Sequence, residues 1–363
     1  MAKDLRISKH MEHRSHRWRG VLSALAAAAL FGVSTPVAKQ LLPEIEPWLM
    51  AGLLYLGSGL GLSAYRAFAA RRGSRETPIT GRDVPWLAAA IFCGGVVGPL
   101  LLMLGLRITP ASSASLLLNL EGVLTALLAW LVFRENYDAR IALGMALITA
   151  GAVTLSWCGR PDIGVPWGAL AIAGACLAWA ADNNFTRKVS GADPLHTALL
   201  KGLCAGGTNT ALALLFGAKL PATGAAVAAG VVGFLGYGVS LTLFVFALRH
   251  LGTARTAAYF SIAPFAGAAV ALAWFREPLT PGFFWAAGLM GLGVWLHLTE
   301  RHEHAHQHEP MEHDHSHRHD EHHQHGHVSA GTLSEPHSHR HRHNHLTHKH
   351  PHYPDLHHRH NNR

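Results

Sequence analysis

Residues 106–135 read LRITPASSASLLLNLEGVLTALLAWLVFRE, and residues 248–277 read LRHLGTARTAAYFSIAPFAGAAVALAWFRE. The second stretch repeats the first without a gap, 142 residues later: both begin Leu-Arg and end Phe-Arg-Glu, and two alanines between these ends coincide. Each copy is apolar between its polar ends for long enough to cross a bilayer, which takes about 20 helical residues. A duplicated apolar unit is typical of secondary transporters, in which the substrate lies between the two copies.

The composition indicates a membrane protein with a polar tail. The chain has 363 residues, of which 49% are hydrophobic and only 14% are charged, whereas about 25% are charged in a typical soluble domain. Of the 29 histidines, 23 lie beyond residue 300. The part before residue 300 is therefore more apolar than the average suggests, and we expect it to lie in the membrane.

Ten apolar segments of about bilayer length follow one another along the chain. They cover residues 21–42, 48–68, 84–106, 111–133, 139–157, 167–186, 194–215, 225–248, 254–275 and 282–298. We therefore predict five domains or segments: a basic N-terminus (1–19), a first five-helix repeat (20–157), a connecting loop (158–166), a second repeat (167–299) and a C-terminal tail (300–363).

The distribution of lysine and arginine predicts the orientation, because cytoplasmic loops carry an excess of both. With the N-terminus in the cytoplasm, the inner ends of the segments hold seventeen Lys and Arg residues and the outer ends hold five. Ten crossings return the tail to the same side. We therefore predict a multi-pass protein of the cell (inner) membrane with both termini in the cytoplasm.

An odd number of crossings in each half makes the second half lie upside down relative to the first. The first segments of the halves also correspond, since residues 31–39 align with residues 179–187, and Pro47 aligns with Pro194. Inverted repeats related by an axis in the membrane plane are a common basis for alternating access. The predicted fold class is therefore an all-α integral membrane protein of two inverted five-helix repeats.

Two stretches of the duplicated unit resemble a known family. They are residues 119–130 (NLEGVLTALLAW) with Phe133-Arg134-Glu135, and Ala263-Pro264-Phe265 with the final Trp274-Phe275-Arg276-Glu277. Over about residues 20–298 the chain resembles the ten-helix EamA-type branch of the drug/metabolite transporter superfamily. The resemblance implies an inner-membrane carrier, most often an exporter of a small metabolite. The chain departs from the family pattern at Gly122, which stands where the second half has Pro264.

Glu121 is the first candidate for the transport path. It lies near the middle of the fourth apolar segment, two residues from Asn119, and its counterpart in the second half is Ala263. An ionisable side chain at that depth costs about 2.5–3.5 kcal/mol on insertion scales, so such residues usually have a function. We expect Glu121 to exchange a proton during transport; the alternative is a protonated or paired carboxyl group that joins helices.

A second polar group comprises Asp182, Asn183 and Asn184 in the sixth segment and Lys201 in the seventh. Because each step along a helix turns about 100°, three consecutive residues cannot all face the bundle interior. Two interpretations remain open: these side chains line the transport path, or Asp182 and Lys201 form a structural ion pair. Asn209 could extend the polar track or bridge two helices, and we expect Lys39 to reach the membrane interface.

The tail is rich in histidine and poor in apolar residues, so it cannot form a hydrophobic core and we expect it to be disordered. Such tracts indicate metal binding, and neutral imidazole suits Zn, Ni, Co and Cu. The candidate ligands are His302, His304, His306, His308, His313, His315, His317, His319, His322, His323, His325, His327, His337, His339, His341, His343 and His345. The alternative is a solvated tail that gains charge as the pH falls through about 6.5.

The leading hypothesis is a proton-coupled exporter of a small metabolite or amphipathic compound. The alternatives are an exporter of Ni, Co or Zn that the tail supplies, and a membrane metal sensor or scaffold without transport activity. No hydrolase, kinase or Rossmann signature appears, so we expect neither an enzyme nor a required cofactor. The basic residues form no continuous stripe, which argues against a nucleic-acid partner. Membrane lipid is the expected environment, and a homodimer is one option for the oligomeric state.

Overall fold

The structure is a computed structural model. It describes residues 2–69, 81, 83–133, 139–157, 166–189, 194–251, 256 and 259–299, and in the tail residues 303–308, 312–317, 337–342 and 346–351. Side chains are described from Trp18 to Thr299, apart from single positions and short stretches.

Each of the ten predicted apolar segments contains helix among its described residues, which in the ninth segment (254–275) are 256 and 259–275. The helices are α1 (Ala2–Leu41), α2 (Pro47–Ala69), α3 (Val84–Ala90), α4 (Gly98–Ile108), α5 (Ala111–Leu117), α6 (Leu120–Phe133), α7 (Ala139–Trp157), α8 (Trp167–Lys188), α9 (Pro194–Leu215), α10 (Thr223–Gly233), α11 (Ser240–Leu251), α12 (Ala263–Phe275) and α13 (Pro281–Leu298). Two π-helical segments, Ile91–Val97 and Phe234–Val239, join α3 to α4 and α10 to α11. The predicted all-α membrane fold is confirmed for this part of the chain.

Among the described residues, seven helices are long and apolar enough to cross a membrane, and two shorter apolar helices, Ala263–Phe275 and Pro281–Leu296, follow them. The number of crossings therefore stays a prediction. Helix α1 begins earlier than expected, at Ala2 within the predicted basic N-terminus, although its candidate span is Trp18–Leu41. Many large apolar side chains face outward, and Phe68 and Leu215 are each 80% exposed, as expected for a surface covered by lipid.

The two halves interlock through their first helices. Helix α1 packs against α11 and α12 of the second half, and α8 packs against α4 and α6 of the first half in the same way. Helices α2 and α9 pack against each other, as do α7 and α13. Each contact in one half thus has an equivalent contact in which the corresponding helices of the two halves have changed places. Two repeats related by a two-fold axis are expected to pack in this way.

Single contacts repeat the same relationship. Ser34 on α1 packs against Gly236 of the second π-helical segment, and Asp182 on α8 packs against Gly94 of the first. Asp182 is the counterpart of Ser34 in the alignment of the first segments, and Gly236 lies 142 residues after Gly94, the same offset as that of the duplicated unit. A methyl group at either glycine would collide with its partner. Small residues let membrane helices approach this closely.

The tail was expected to be disordered, but four short segments of it are β-strands. Strand β1 (Glu303–His308) pairs antiparallel with β4 (Leu346–Pro351), and β2 (Glu312–His317) pairs antiparallel with β3 (His337–Arg342). The physical reason lies in the alternation of histidine with other residues, since a period of two suits an extended chain. The two pairs have the same register.

Candidate functional site

The candidate site lies where the fourth and ninth segments are broken. Helix α5 ends at Leu117 and α6 begins at Leu120; in the turn between them the N–H groups of Leu118 and Asn119 donate to carbonyls three residues back. The second half has an equivalent turn at residues 261–262, before Pro264. The first half therefore breaks without a proline, at a place where discontinuous helices of transporters form binding sites.

Glu121 lies in the first turn of α6 and joins the two halves. The side-chain amide of Asn183, on α8, donates to Oε1 of Glu121 at 2.9 Å and also lies 3.3 Å from the Thr125 hydroxyl. Glu121 is half-buried and Asn183 is exposed, and a Cβ added at the neighbouring Gly122 would meet nothing within 4 Å. The Glu121–Asn183 contact therefore borders accessible space.

The two other predicted asparagines are buried and bonded to backbone carbonyls. The Asn119 amide donates to the carbonyl of Leu116 at 2.9 Å, within the break itself. The Asn184 amide donates to the carbonyl of Ala180 at 2.8 Å. Asn184 also donates to the carbonyl of Thr125, in the first half, at 3.4 Å. Both side chains thus satisfy buried backbone carbonyls.

Asp182 and Lys201 form an ion pair between α8 and α9. The Lys201 ammonium lies 2.6 Å from both carboxylate oxygens of Asp182, and the Thr186 hydroxyl donates to the same carboxylate at 2.9 Å. The structure therefore contains the ion pair that was one of the two interpretations of these charges. Because this pair is internally neutral, Glu121 is left as the acidic group that borders the open space.

The first π-helical segment presents backbone carbonyls to side chains of both halves. The carbonyl of Gly94 accepts hydrogen bonds from the Tyr55 hydroxyl at 2.8 Å and the Trp179 indole at 2.9 Å. The carbonyl of Gly95 accepts from the Asn209 amide at 2.8 Å, and Asn209 accepts in turn from the Trp48 indole at 3.2 Å. Asn209 is fully buried and bridges helices. A π-helix leaves such groups to be satisfied and often marks a functional region.

An aromatic cluster in the bundle contains rings from both halves. Ring centroids are 5.5 Å apart for Tyr55 and Tyr237, 5.8 Å for Phe31 and Tyr237, 5.6 Å for Phe31 and Phe260, and 4.9 Å for Phe244 and Phe260. All five rings are half-buried and come from both halves. This cluster could not be predicted from the sequence, because its aromatic residues lie on four separate segments and form no local pattern.

The halves are also bonded to each other at the end of the bundle where Lys39 lies. Glu277, in the second half, accepts from the backbone N–H groups of Ala111 at 2.7 Å and Ser112 at 3.1 Å, and from the Ser112 hydroxyl. The Lys39 ammonium donates to the carbonyl groups of residues 106, 107 and 109 at the same end. The sequence predicted that Lys39 reaches the membrane interface; in the structure its ammonium group binds three backbone carbonyls. The duplicated Arg-Glu pair was the signal that could have indicated a role for Glu277.

The predicted metal ligands lie in the tail. Nine are at described strand positions: His304, His306, His308, His313, His315, His317, His337, His339 and His341. The others lie outside the described residues: His302, His319, His322, His323, His325, His327, His343 and His345. Where side chains are described, no group of three or more His, Cys, Asp or Glu residues is arranged to hold a metal ion.

Comparison with known proteins accounts for the duplicated architecture. The model of the EamA-like transporter family matches residues 18–157 and again residues 166–299. The chain belongs to the EamA-like transporter family. This EamA-like protein is 29% identical over 278 residues to an "Uncharacterized transporter" of Methanothermobacter thermautotrophicus, an alignment that covers 72% of the chain and 80% of the relative. The family and this relative indicate a membrane transporter.

One solved structure is similar in fold to the EamA-like protein. Its title, "Crystal structure of protein", names no activity; the match has a TM-score of 0.57 and 16% identity, and covers 76% of this chain and 94% of that one. At this identity the similarity concerns the fold alone. It agrees with the helical bundle described above.

Proposed function

We propose that the protein is a secondary transporter that exports a small metabolite or amphipathic compound by alternating access. The observation that carries the proposal is the hydrogen bond between Glu121 and Asn183, which links the two halves beside open space and next to a broken helix. In inverted-repeat transporters the substrate binds near mid-depth at such an interface, and the halves rock around it.

The charges around the site support proton coupling. Lys201 is bound to both oxygens of Asp182, whereas Glu121 accepts a hydrogen bond from the neutral amide of Asn183. An uncompensated carboxylate at this depth costs about 2.5–3.5 kcal/mol, so either a proton or a polar group of the substrate stabilises it. If the two bind alternately, the movement of one is coupled to the movement of the other.

The aromatic cluster supports an amphipathic substrate. Phe31, Tyr237 and Phe260 offer ring surface from both halves, while Glu121 and Asn183 offer polar groups to one end of a bound molecule. Sites for small molecules typically combine an apolar lining with a few polar groups that fix orientation. A solute with one polar end and an apolar body matches this arrangement.

The proposed transporter lies in the inner membrane and moves its substrate out of the cytoplasm. The excess of Lys and Arg on one side of the predicted crossings supports cytoplasmic termini, and the family resemblance supports an exporter in the inner membrane. Export driven by protons requires that Glu121 be accessible in turn from the two faces.

Reconstituted vesicles with an imposed pH gradient test the proposal. A dye inside the vesicles reports proton movement when amphipathic metabolites are added one at a time. We expect at least one compound to move protons in vesicles with the wild-type protein, and we expect Glu121→Gln to abolish this movement. Glu44→Gln is the matched control, because Glu44 is an exposed acid in the loop between α1 and α2. Equal proton movement in wild type and Glu121→Gln would remove Glu121 from the mechanism.

A further inference from the structure

We propose that the tail binds a transition-metal ion on a six-histidine face, defined as His313, His315 and His317 of β2 with His337, His339 and His341 of β3. The face exists only when the two histidine blocks of the tail pair as a hairpin. It is therefore a specific site, and its ligands come from two parts of the chain that are separated by residues 318–336. This inference does not depend on the proposed transport function.

The register of the hairpin places histidine opposite histidine. In the β2–β3 pair, His313 is opposite His341, His315 is opposite His339, and His317 is opposite His337. Residues directly opposite in an antiparallel pair share a face, and residues two apart along a strand share it too. All six positions therefore belong to one face of the ribbon.

The other face supports the same register independently. There Glu312 is opposite Arg342, Asp314 is opposite Arg340, and Ser316 is opposite Ser338. Opposite charges and hydroxyl pairs at directly opposed positions stabilise antiparallel strands, by about 0.2–1 kcal/mol per pair. A shift by one residue would place charged residues opposite histidines and remove both the charge pairs and the histidine pairs. The sequence of the two blocks is thus complementary in this register.

The spacing suits a metal ion. Opposed residues have Cβ atoms about 4.5–5.5 Å apart, and neighbours on one face of a strand are about 6.6–6.8 Å apart. Two adjacent histidine pairs can therefore supply four imidazole groups to one ion. Zinc takes four ligands in tetrahedral geometry with Zn–N distances of about 2.0–2.1 Å, and imidazole also suits nickel, cobalt and copper.

The β1–β4 pair also places histidine opposite histidine. His304 is opposite His350, and His306 is opposite His348, in the same register. Opposed charged residues do not recur on the other face of this pair, where Glu303 is opposite Pro351 and Ala305 is opposite Lys349. We therefore assign the principal site to β2 and β3.

Metal binding and hairpin formation should be coupled. A two-stranded ribbon with polar faces is marginally stable in water, and ligands that come together only in the folded hairpin transfer their binding energy to folding. Closing the intervening loop costs little more than closing a shorter one, because the entropy of closure rises slowly with length. The histidine-rich tail is then ordered by the ion that it binds.

Zinc titration of the full-length protein in detergent micelles tests the site. Three variants replace His313, His315 and His317, or His337, His339 and His341, or all six, by Asn. We expect either triple variant to lower the affinity of the tightest site by at least about tenfold, and the sixfold variant to lower it no further. The matched control replaces three other tail histidines, His357, His358 and His360, and should keep the tightest site.

Two results of this titration would overturn the proposal. One is an additive loss, in which each triple variant removes a share of the bound zinc and the remaining affinity is unchanged, because the two blocks then bind independently. The other is an equal loss in the control variant, because histidine content alone then determines binding.

A distance measurement tests the pairing itself. Ser316 and Ser338 are opposite each other on the face away from the histidines, so cysteines at these positions can carry a fluorescent donor and acceptor. The four native cysteines are replaced by alanine, and both labels are attached before zinc is added. We expect zinc to raise energy transfer and a chelator to reverse the change. Tight zinc binding without a change in energy transfer would show that the hairpin is not the metal site.

Discussion

The carboxylate of Glu277 accepts a hydrogen bond from the backbone N–H of Ala111 at 2.7 Å. This contact joins the loop between α12 and α13 of the second half to the first turn of α5 in the first half. Glu277 therefore holds the two halves together at the end of the bundle where Lys39 binds backbone carbonyls of the first half. For alternating access, this contact must break when the site opens toward that face.

We therefore predict that Glu277→Gln favours the conformation that is open at the Lys39 end. Each hydrogen bond to a charged group contributes about 1.5–3 kcal/mol, so the substitution should raise the open population by about tenfold or more. A cysteine placed at Gly122, where the structure has open space, reports opening through its rate of reaction with a membrane-impermeant thiol reagent. The native cysteines are removed first, and the reagent is added from the face where Lys39 lies.

Glu44→Gln serves as the control for this experiment, because it removes an exposed acid from the loop that follows α1. Its labelling rate should equal that of the parent protein. If Glu277→Gln also left the rate unchanged, Glu277 would have only a structural role at this end.

The ion pair between α8 and α9 predicts a recovery in a double variant. Asp182→Asn leaves the Lys201 ammonium without its carboxylate, and we expect it to destabilise the protein by about 3 kcal/mol, as does removal of one partner of a buried pair. Adding Lys201→Met removes the unpaired charge and should restore most of the stability that Asp182→Asn lost. Thermal unfolding in detergent measures both effects. Equal melting temperatures for the single and double variants would contradict the assigned pairing.

Two glycines form a matched pair for a test of close packing. An alanine methyl group at Gly94 would collide with the Asp182 carboxylate, whereas one at Gly122 meets open space. We predict that Gly94→Ala destabilises the protein by about 1–3 kcal/mol, the usual cost of overpacking, and that Gly122→Ala leaves its melting temperature unchanged. A large loss of stability in Gly122→Ala would mean that the space beside Glu121 is filled.

The hydroxyl of Tyr55 should matter through the carbonyl of Gly94. Tyr55→Phe removes a 2.8 Å hydrogen bond, which typically contributes about 0.5–1.5 kcal/mol, and leaves the ring in the aromatic cluster. We expect a corresponding fall in stability. Tyr65→Phe is the control, since Tyr65 is 49% exposed. If both variants lost the same amount of stability, the hydrogen bond to the Gly94 carbonyl would not explain the effect of Tyr55→Phe.

Much of the fold could be predicted from the sequence because its signals are long and periodic. The repeat of residues 106–135 gave the two halves, and the apolar lengths gave the helices. The high cost of isolated charges in lipid made an ion pair between Asp182 and Lys201 one of two interpretations, and the structure contains this pair. The proposed role of Glu121 came from the same argument and stays a prediction.

The remaining features depend on contacts between distant segments. Tyr237 meets Phe31 and Tyr55 only after α1, α2 and the second π-helical segment have packed. Asn119 lies two residues from Glu121 in sequence, yet its amide donates to the carbonyl of Leu116 in the turn between α5 and α6. The local sequence could not show whether this amide faces the transport path or the backbone. The pairing of β2 with β3 requires a register that becomes evident only when the two blocks are set antiparallel.

The two π-helical segments bear on the history of the chain. Ile91–Val97 and Phe234–Val239 occupy corresponding positions of the two halves, and a π-helical turn holds more residues than an α-helical one because its bonds join residues five apart. One insertion before the repeat was duplicated would account for both segments, whereas separate insertions would have had to occur twice at the same place. The widened turn would then be older than the duplication that produced the two halves.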